Sequence, residues 1–157
     1  MNMLVENLPT FSLPFRAPRL AQEHPREEPQ SLVMAFELGQ LFSRCRERWP
    51  ALDLKLPRNG TWPLLSWPQA LRDALDRLVD GAASADARSH LALDVREQAG
   101  RLRVDVEGDA EQARQWLPQA LLAAQRLAAW QGGRLLWRVS GARWRVRLSL
   151  PLSPSSR

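Results

Sequence analysis

Asp73, Asp76 and Asp80 recur at helical spacing in this chain of 157 residues. Carboxylates three or four residues apart share one helix face and could hold a hard cation such as Mg²⁺ through their oxygens. Arg72 and Arg77 stand close enough to pair with them, so a solvated, self-neutralised helix face is the plainer reading. Cys45 is the only cysteine, which excludes an internal disulfide and a cysteine-based zinc site. It falls on an apolar helix stripe, where a buried core thiol is expected. His24 lies in a proline-rich stretch and His90 at the start of an expected strand. Spacing alone assembles no Ser–His–Asp or Cys–His set, and there is no Walker-type or EF-hand loop. The sequence therefore predicts no metal site and no cofactor.

Charge is the other feature with chemical content. Of the 22 basic residues, Lys55 is the single lysine. No acidic residue follows Glu111, whereas Arg114, Arg126, Arg134, Arg138, Arg143, Arg145, Arg147 and Arg157 do. A surface of one sign could meet an acidic protein or nucleic acid. Arg134, Arg138, Arg143, Arg145 and Arg147 form the candidate interaction surface. Nucleic-acid stacking on Trp137 and Trp144 is the lesser alternative, because Trp144 falls on the apolar side of its strand.

These residues need elements to position them. Residues 1–31 hold five of the twelve prolines and read as a tail. Leu32, Phe36, Leu38, Leu41, Phe42, Cys45 and Trp49 recur as in a helix that stops at Pro50. Leu52, Leu54 and Leu56 alternate as in a half-buried strand. A second helix opens at Ser66, as its cap, or at Pro68, and carries Leu71, Leu75, Leu78, Val79 and Ala82, with Gly81 near its end. Two alternating runs, Leu91/Leu93/Val95 and Leu102/Val104/Val106, form a hairpin turning near Gly100.

The third helix covers Gln112 to Trp130, with Pro118 dividing off its first turn, and ends at Gly132-Gly133. A closing hairpin points Trp144, Val146, Leu148 and Leu150 one way and Arg143, Arg145 and Arg147 the other. Trp49, Trp116, Trp137 and Trp144 are expected between the layers; Trp62, Trp67 and Trp130 have no evident place. The order predicts an α/β (α+β) two-layer sandwich over residues 32–152, a mixed or antiparallel sheet with helices on one face. Residues 153–157 form a short second tail. No run reaches the roughly 18 apolar residues of a membrane span, and residues 1–18 lack a signal-peptide pattern, so a cytoplasmic protein is expected.

Three stretches carry a resemblance. WPQALRDALDRLVDGAA is similar to an Asp-Pro-led helix ending Asn-Leu-Leu-x-Asn-Ala. RLRVDVEGDAE is similar to a strand leading into Asp-x-Gly-x-Gly. QALLAAQRLAAWQGGRLLWRVSGARWRVRLSLPL is similar to a helix, a Gly-Gly turn and a closing hairpin ending in Leu-Pro. In this order they resemble the ATP-binding domain of sensor histidine kinases, within the GHKL ATPase superfamily.

The resemblance implies a nucleotide cleft whose working residues are replaced. The magnesium-holding asparagine falls on Gly81 and its companion on Arg77, with Asp80 beside them. The adenine-binding aspartate falls on Gly108, Asp109 comes one residue later, and the glycines after it become Ala110 and Gln112. The last glycine motif falls on Pro118 and Ala120. Glycine supplies no oxygen side chain for Mg²⁺, and proline has no N–H for a phosphate. The stretch from Gly108 to Gln119 is too short for a lid over ATP. Neither histidine matches a phospho-accepting motif.

What the resemblance implies is thus a non-catalytic, pseudokinase-like protein-interaction module of bacterial two-component signalling or regulation. Its partner would be a response regulator, a kinase or another regulator, with a homodimer left open. A divergent nucleotide-binding ATPase or kinase with displaced ligands is the alternative.

Overall fold

The computed structural model describes residues 25–154. Its first helix, α1 (Met34–Arg48), starts later than the apolar spacing predicts, because Leu32 and Val33 belong to a strand, β1 (Gln30–Val33). β1 runs antiparallel to β3 (Pro63–Ser66), with Leu32 opposite Leu64, as a separate two-stranded ribbon. Regular structure therefore begins inside the stretch expected to be tail; the expectations for residues 1–24 and 155–157 lie outside the described residues. The inward face of α1 becomes Met34, Leu38, Leu41 and Cys45, and Phe36 is 60% exposed. Phe36 sits about half a turn from Leu38, so it cannot share that face.

The remaining elements are β2 (Asp53–Lys55), α2 (Pro68–Ala85), β4 (His90–Gln98), β5 (Arg101–Asp109), α3 (Ala113–Ala120), α4 (Leu122–Gln131), β6 (Arg134–Ser140) and β7 (Arg143–Pro151). The main sheet runs β2-β4-β5-β7-β6, antiparallel throughout except for the parallel β2–β4 pair. Ala99 and Gly100 both take positive φ in the two-residue turn between β4 and β5, as a type I′ turn requires. Leu91, Leu93, Val95, Leu102, Val104, Val106, Trp144, Val146, Leu148 and Leu150 are buried under the helices, whose Leu71, Leu75, Leu78, Leu117 and Leu127 complete the core. The other sheet face is wet and charged. The expected two-layer sandwich with a mixed sheet is present.

Three local expectations differ. The third helix divides at Leu121, three residues beyond Pro118, and not in its first turn; the Leu121 N–H reaches both Leu117 O and Pro118 O. Trp137 is not between the layers. It lies on β6, the last strand of the sheet, and is 39% exposed. Trp67, which had no evident place, is buried and meets Trp130 edge-on with ring centroids 6.0 Å apart.

Ser66 does not cap α2. Trp67 holds the N-cap position, and the Glu27 carboxylate accepts the first-turn N–H groups of Gln69 at 3.1 Å and Ala70 at 3.0 Å. A carboxylate there also answers the positive end of the helix dipole. The buried Ser66 hydroxyl instead donates to Gln131 Oε1 at 2.6 Å. Gln131 Nε2 donates in turn to Leu65 O at 3.0 Å and Pro151 O at 2.9 Å. One amide, fully buried, thereby ties β3, the end of α4 and the end of β7 together.

Candidate functional site

The acidic residues of α2 face two ways. Asp73 pairs with Arg77 on the exposed surface at 3.2 Å, as their i, i+4 spacing predicts. Asp76 and Asp80 turn toward α1. Arg44 reaches Asp76 Oδ1 through Nε at 3.1 Å and Nη2 at 2.8 Å. Asp80 accepts Trp49 Nε1 at 2.8 Å and pairs with Arg48 at 2.9 Å. One turn earlier, the buried Glu37 meets Arg72 at 3.1 Å. Three acid–base contacts thus fasten α1 to α2, and among the described residues no cluster of three or more His, Cys, Asp or Glu could hold a metal. Cys45 is buried beside this seam, and its thiol pKa is pushed up by burial first and by the Asp80 carboxylate second. Asp80, which the resemblance assigns to the nucleotide cleft, is engaged with Trp49 and Arg48.

Of the other positions that the resemblance assigns to the cleft, Gly81 and Gly108 are closely packed, and Gly108 and Asp109 line a shallow groove beside Arg143. A Cβ added at Gly81 would sit 2.8 Å from Ala120 Cβ and 3.2 Å from the Trp116 ring. α2 and α3 are therefore pressed together at Gly81, the position to which the resemblance assigns a magnesium-holding residue. Trp116 meets Trp144 edge-on, centroids 5.4 Å apart and planes at 87°. Trp144 is 2% exposed, and a Cβ at Gly108 would lie 2.9 Å from its ring and 2.9 Å from His90 O. Gly81, Trp116, Trp144 and Gly108 form a continuous wall of contact from helix to sheet. Ala110 is buried and donates its N–H to Ala142 O at 2.7 Å, fastening the exit of β5 to the last turn. Asp109 is on the wet face beside Arg143, and Arg77 and Pro118 are exposed.

The sequence placed Trp116 and Trp144 in the core but missed that they fill this space together. The available signal was the i, i+4 spacing of Trp116 and Ala120, which puts both against one neighbour. Gly81 carries a prediction of unusual sign. Gly→Ala inside a helix ordinarily stabilises by about 1 kcal/mol. Here the added methyl meets Ala120, so Gly81→Ala is expected to lower stability by about 1–2 kcal/mol in urea denaturation, an overpacking cost. A gain would mean that α3 yields freely.

The arginine surface divides in two. The register sets Arg143, Arg145 and Arg147 opposite Asp109, Glu107 and Asp105 on β5. Arg147 lies 2.9 Å from Asp105, Arg145 lies 3.0 Å from Glu107, and Arg143 lies 3.7 Å from both Glu107 and Asp109. The one-signed run in the sequence is thus an alternating lattice in space, because the strand beside it carries the acids. Arg134 and Arg138, on β6, have no acidic neighbour across the ladder, facing Ser149 and Arg145. A shallow groove of about 240 Å³ opens on the same face near Asp53, Lys55, His90 and Glu107, where His90 Nδ1 lies 2.8 Å from Asp53.

Several solved histidine-kinase domains are similar to this chain in structure. The catalytic domain of histidine kinase ThkA superposes with a TM-score of 0.70 over 82% of this chain and 100% of its own, at 12% identity. Its fold is that of a histidine-kinase ATPase domain. The Acinetobacter baumannii histidine kinase AdeS matches with a TM-score of 0.69 at 13% identity, covering 88% of this chain and 75% of its own. The ATP-binding domain of PrrB from Mycobacterium tuberculosis gives 0.65 at 18% identity, over 83% of this chain and 100% of its own. No protein-family model and no curated protein matches the sequence. At such identities the histidine-kinase ATPase fold is shared, and the side chains within it must speak for themselves. No helix of the described residues is long and apolar enough to cross a membrane.

Proposed function

We propose that this chain is a non-catalytic form of the histidine-kinase ATPase fold, a pseudo-ATPase that binds a protein partner in bacterial signalling in place of nucleotide. The observation that supports this reading is Trp116 packed against Gly81, the position to which the resemblance assigns a magnesium ligand, and edge-on to Trp144. Three further features support it. Asp80 is committed to Trp49 and Arg48, Asp109 points to the wet face, and Pro118 has no N–H to offer a phosphate. A Mg²⁺ ion prefers about six oxygen ligands, and Gly81 brings none. The partner is a protein of the signalling machinery, such as a response regulator, a kinase or another regulator.

Calorimetric titration of ATP and ADP, with and without Mg²⁺, tests the reading. No heat and no rise in melting temperature at millimolar nucleotide are expected. Saturable, Mg²⁺-dependent binding that disappears in Asp109→Ala or Asp80→Ala would overturn it in favour of a divergent ATPase.

A further inference from the structure

The outer strand of the sheet is open. β6 and β7 are joined by the two-residue turn Gly141-Ala142, with Ser140 opposite Arg143 and Gly141 at φ +62°. In such a hairpin the flanking pair exchanges both hydrogen bonds, and every second pair along the ladder does the same. Arg134, Leu136, Arg138 and Ser140 therefore spend their N–H and C=O groups on β7. Leu135, Trp137 and Val139 turn theirs outward, where no strand of the described residues lies. Only Val139 O has an outside partner among the described residues, Arg114 Nη2 at 3.1 Å. Leu136 and Trp137 are 57% and 39% exposed along this edge.

An unpaired edge is a template for another strand, and its side chains select which one. The guanidinium groups of Arg143, Arg145 and Arg147 are answered by β5, whereas Arg134 and Arg138 flank Leu136 on the wet face with no acidic partner among the described residues. Two copies paired edge to edge about Trp137 would set Arg138 against Leu136 and bring both Arg138 side chains diagonally across one seam. The row would hold four arginines and no carboxylate, which disfavours self-pairing.

We propose that the free edge of β6 receives an extended segment of a partner protein as a sixth strand, one with acidic side chains at alternate positions that meet Arg134 and Arg138 on either side of Leu136. The main chain supplies affinity through Leu135 and Trp137, and the charges supply selectivity. This deepens the interaction-module reading and rests on it for the class of partner only.

The test uses the full chain and two capped octapeptides, one alternating Glu with Val and the other Lys with Val. Binding is followed by calorimetry and by amide hydrogen exchange. The Glu peptide is expected to bind about tenfold more tightly at low salt, as two cross-strand charge pairs change sign, and to slow exchange at Leu135 and Trp137. Salt should narrow the difference. The double variant Arg134→Glu/Arg138→Glu, with both side chains exposed, should keep its melting temperature and prefer the Lys peptide.

Equal affinity for both peptides, binding by neither, or binding without protection of those two amides would overturn the proposal. Protection already present in the free protein would overturn it too. Loss of that protection on dilution would assign the edge to a second copy, and loss on removing residues 1–24 would assign it to the chain itself. Nucleotide titration reads the cleft and not the edge, so failure of one reading is distinguishable from failure of the other.

Discussion

Gln131→Leu is expected to cost about 4 kcal/mol of folding stability, most of what a marginally stable domain possesses. The replacement keeps the side chain's approximate size but removes both ends of its amide. Leu65 O and Pro151 O, both part-buried, lose their donor, and the fully buried Ser66 hydroxyl loses its acceptor. Each stranded buried group costs about 1–3 kcal/mol, which is why the loss exceeds that of an ordinary surface hydrogen bond. Urea denaturation followed by circular dichroism measures it. Adding Ser66→Ala should recover part of the loss, because it removes one stranded group; in the otherwise native protein the same change should destabilise. A cost below about 1 kcal/mol for Gln131→Leu would show that the ribbon of β1 and β3 is held by other means.

Trp144→Ala is expected to cost about 4 kcal/mol through the cavity it leaves. Trp144 is among the largest fully buried side chains, it meets Trp116 edge-on, and it lies against Gly108. Its indole N–H has no hydrogen-bond partner among the described residues, so the ring contributes by shape and not by polarity. Trp144→Phe, which keeps an aromatic ring and discards that N–H, should therefore cost less than half as much. The comparison is made by thermal unfolding, where the alanine variant should melt about 15 °C lower for a domain of this size. Equal losses for the two variants would mean that the indole's full outline is needed to hold α3 against the sheet.

The fold was largely legible because its signals are periodic. Alternation at Leu91/Leu93/Val95 and at Trp144/Val146/Leu148/Leu150 could belong only to strands with one face buried, and Gly100 and Gly141 mark turns that demand positive φ. What stayed hidden depends on partners distant in sequence. Pro63–Ser66 has too few residues for a period, and its strand exists because β1 is there to pair with it. Ser66 has the chemistry of a helix cap, yet its hydroxyl found Gln131 while Glu27, far upstream, took over the capping. Trp137 alternates as a core residue would, but it falls where the helical layer no longer covers the sheet.

The candidate site was legible in a different sense. The resemblance assigns Gly81 and Gly108 to a nucleotide cleft, but such an assignment does not say what packs against them. Trp116 supplies that answer through a contact between two helices, whereas its i, i+4 spacing from Ala120 within α3 says only that the two share a neighbour, not which one. The arginine run was only partly legible, for a different reason. Its charges are real, but Asp105, Glu107 and Asp109 become its neighbours only once β5 and β7 are side by side.

Glu27 has a further bearing, on how the domain can be transplanted. Its carboxylate completes a helix that starts some forty residues downstream, and β1 follows it directly. Contacts that later elements depend on consequently begin upstream of the first helix. A fusion joined at Leu32, where apolar periodicity starts, would sever half of the β1–β3 ribbon and strip α2 of its cap; one joined ahead of Pro25 would carry both along.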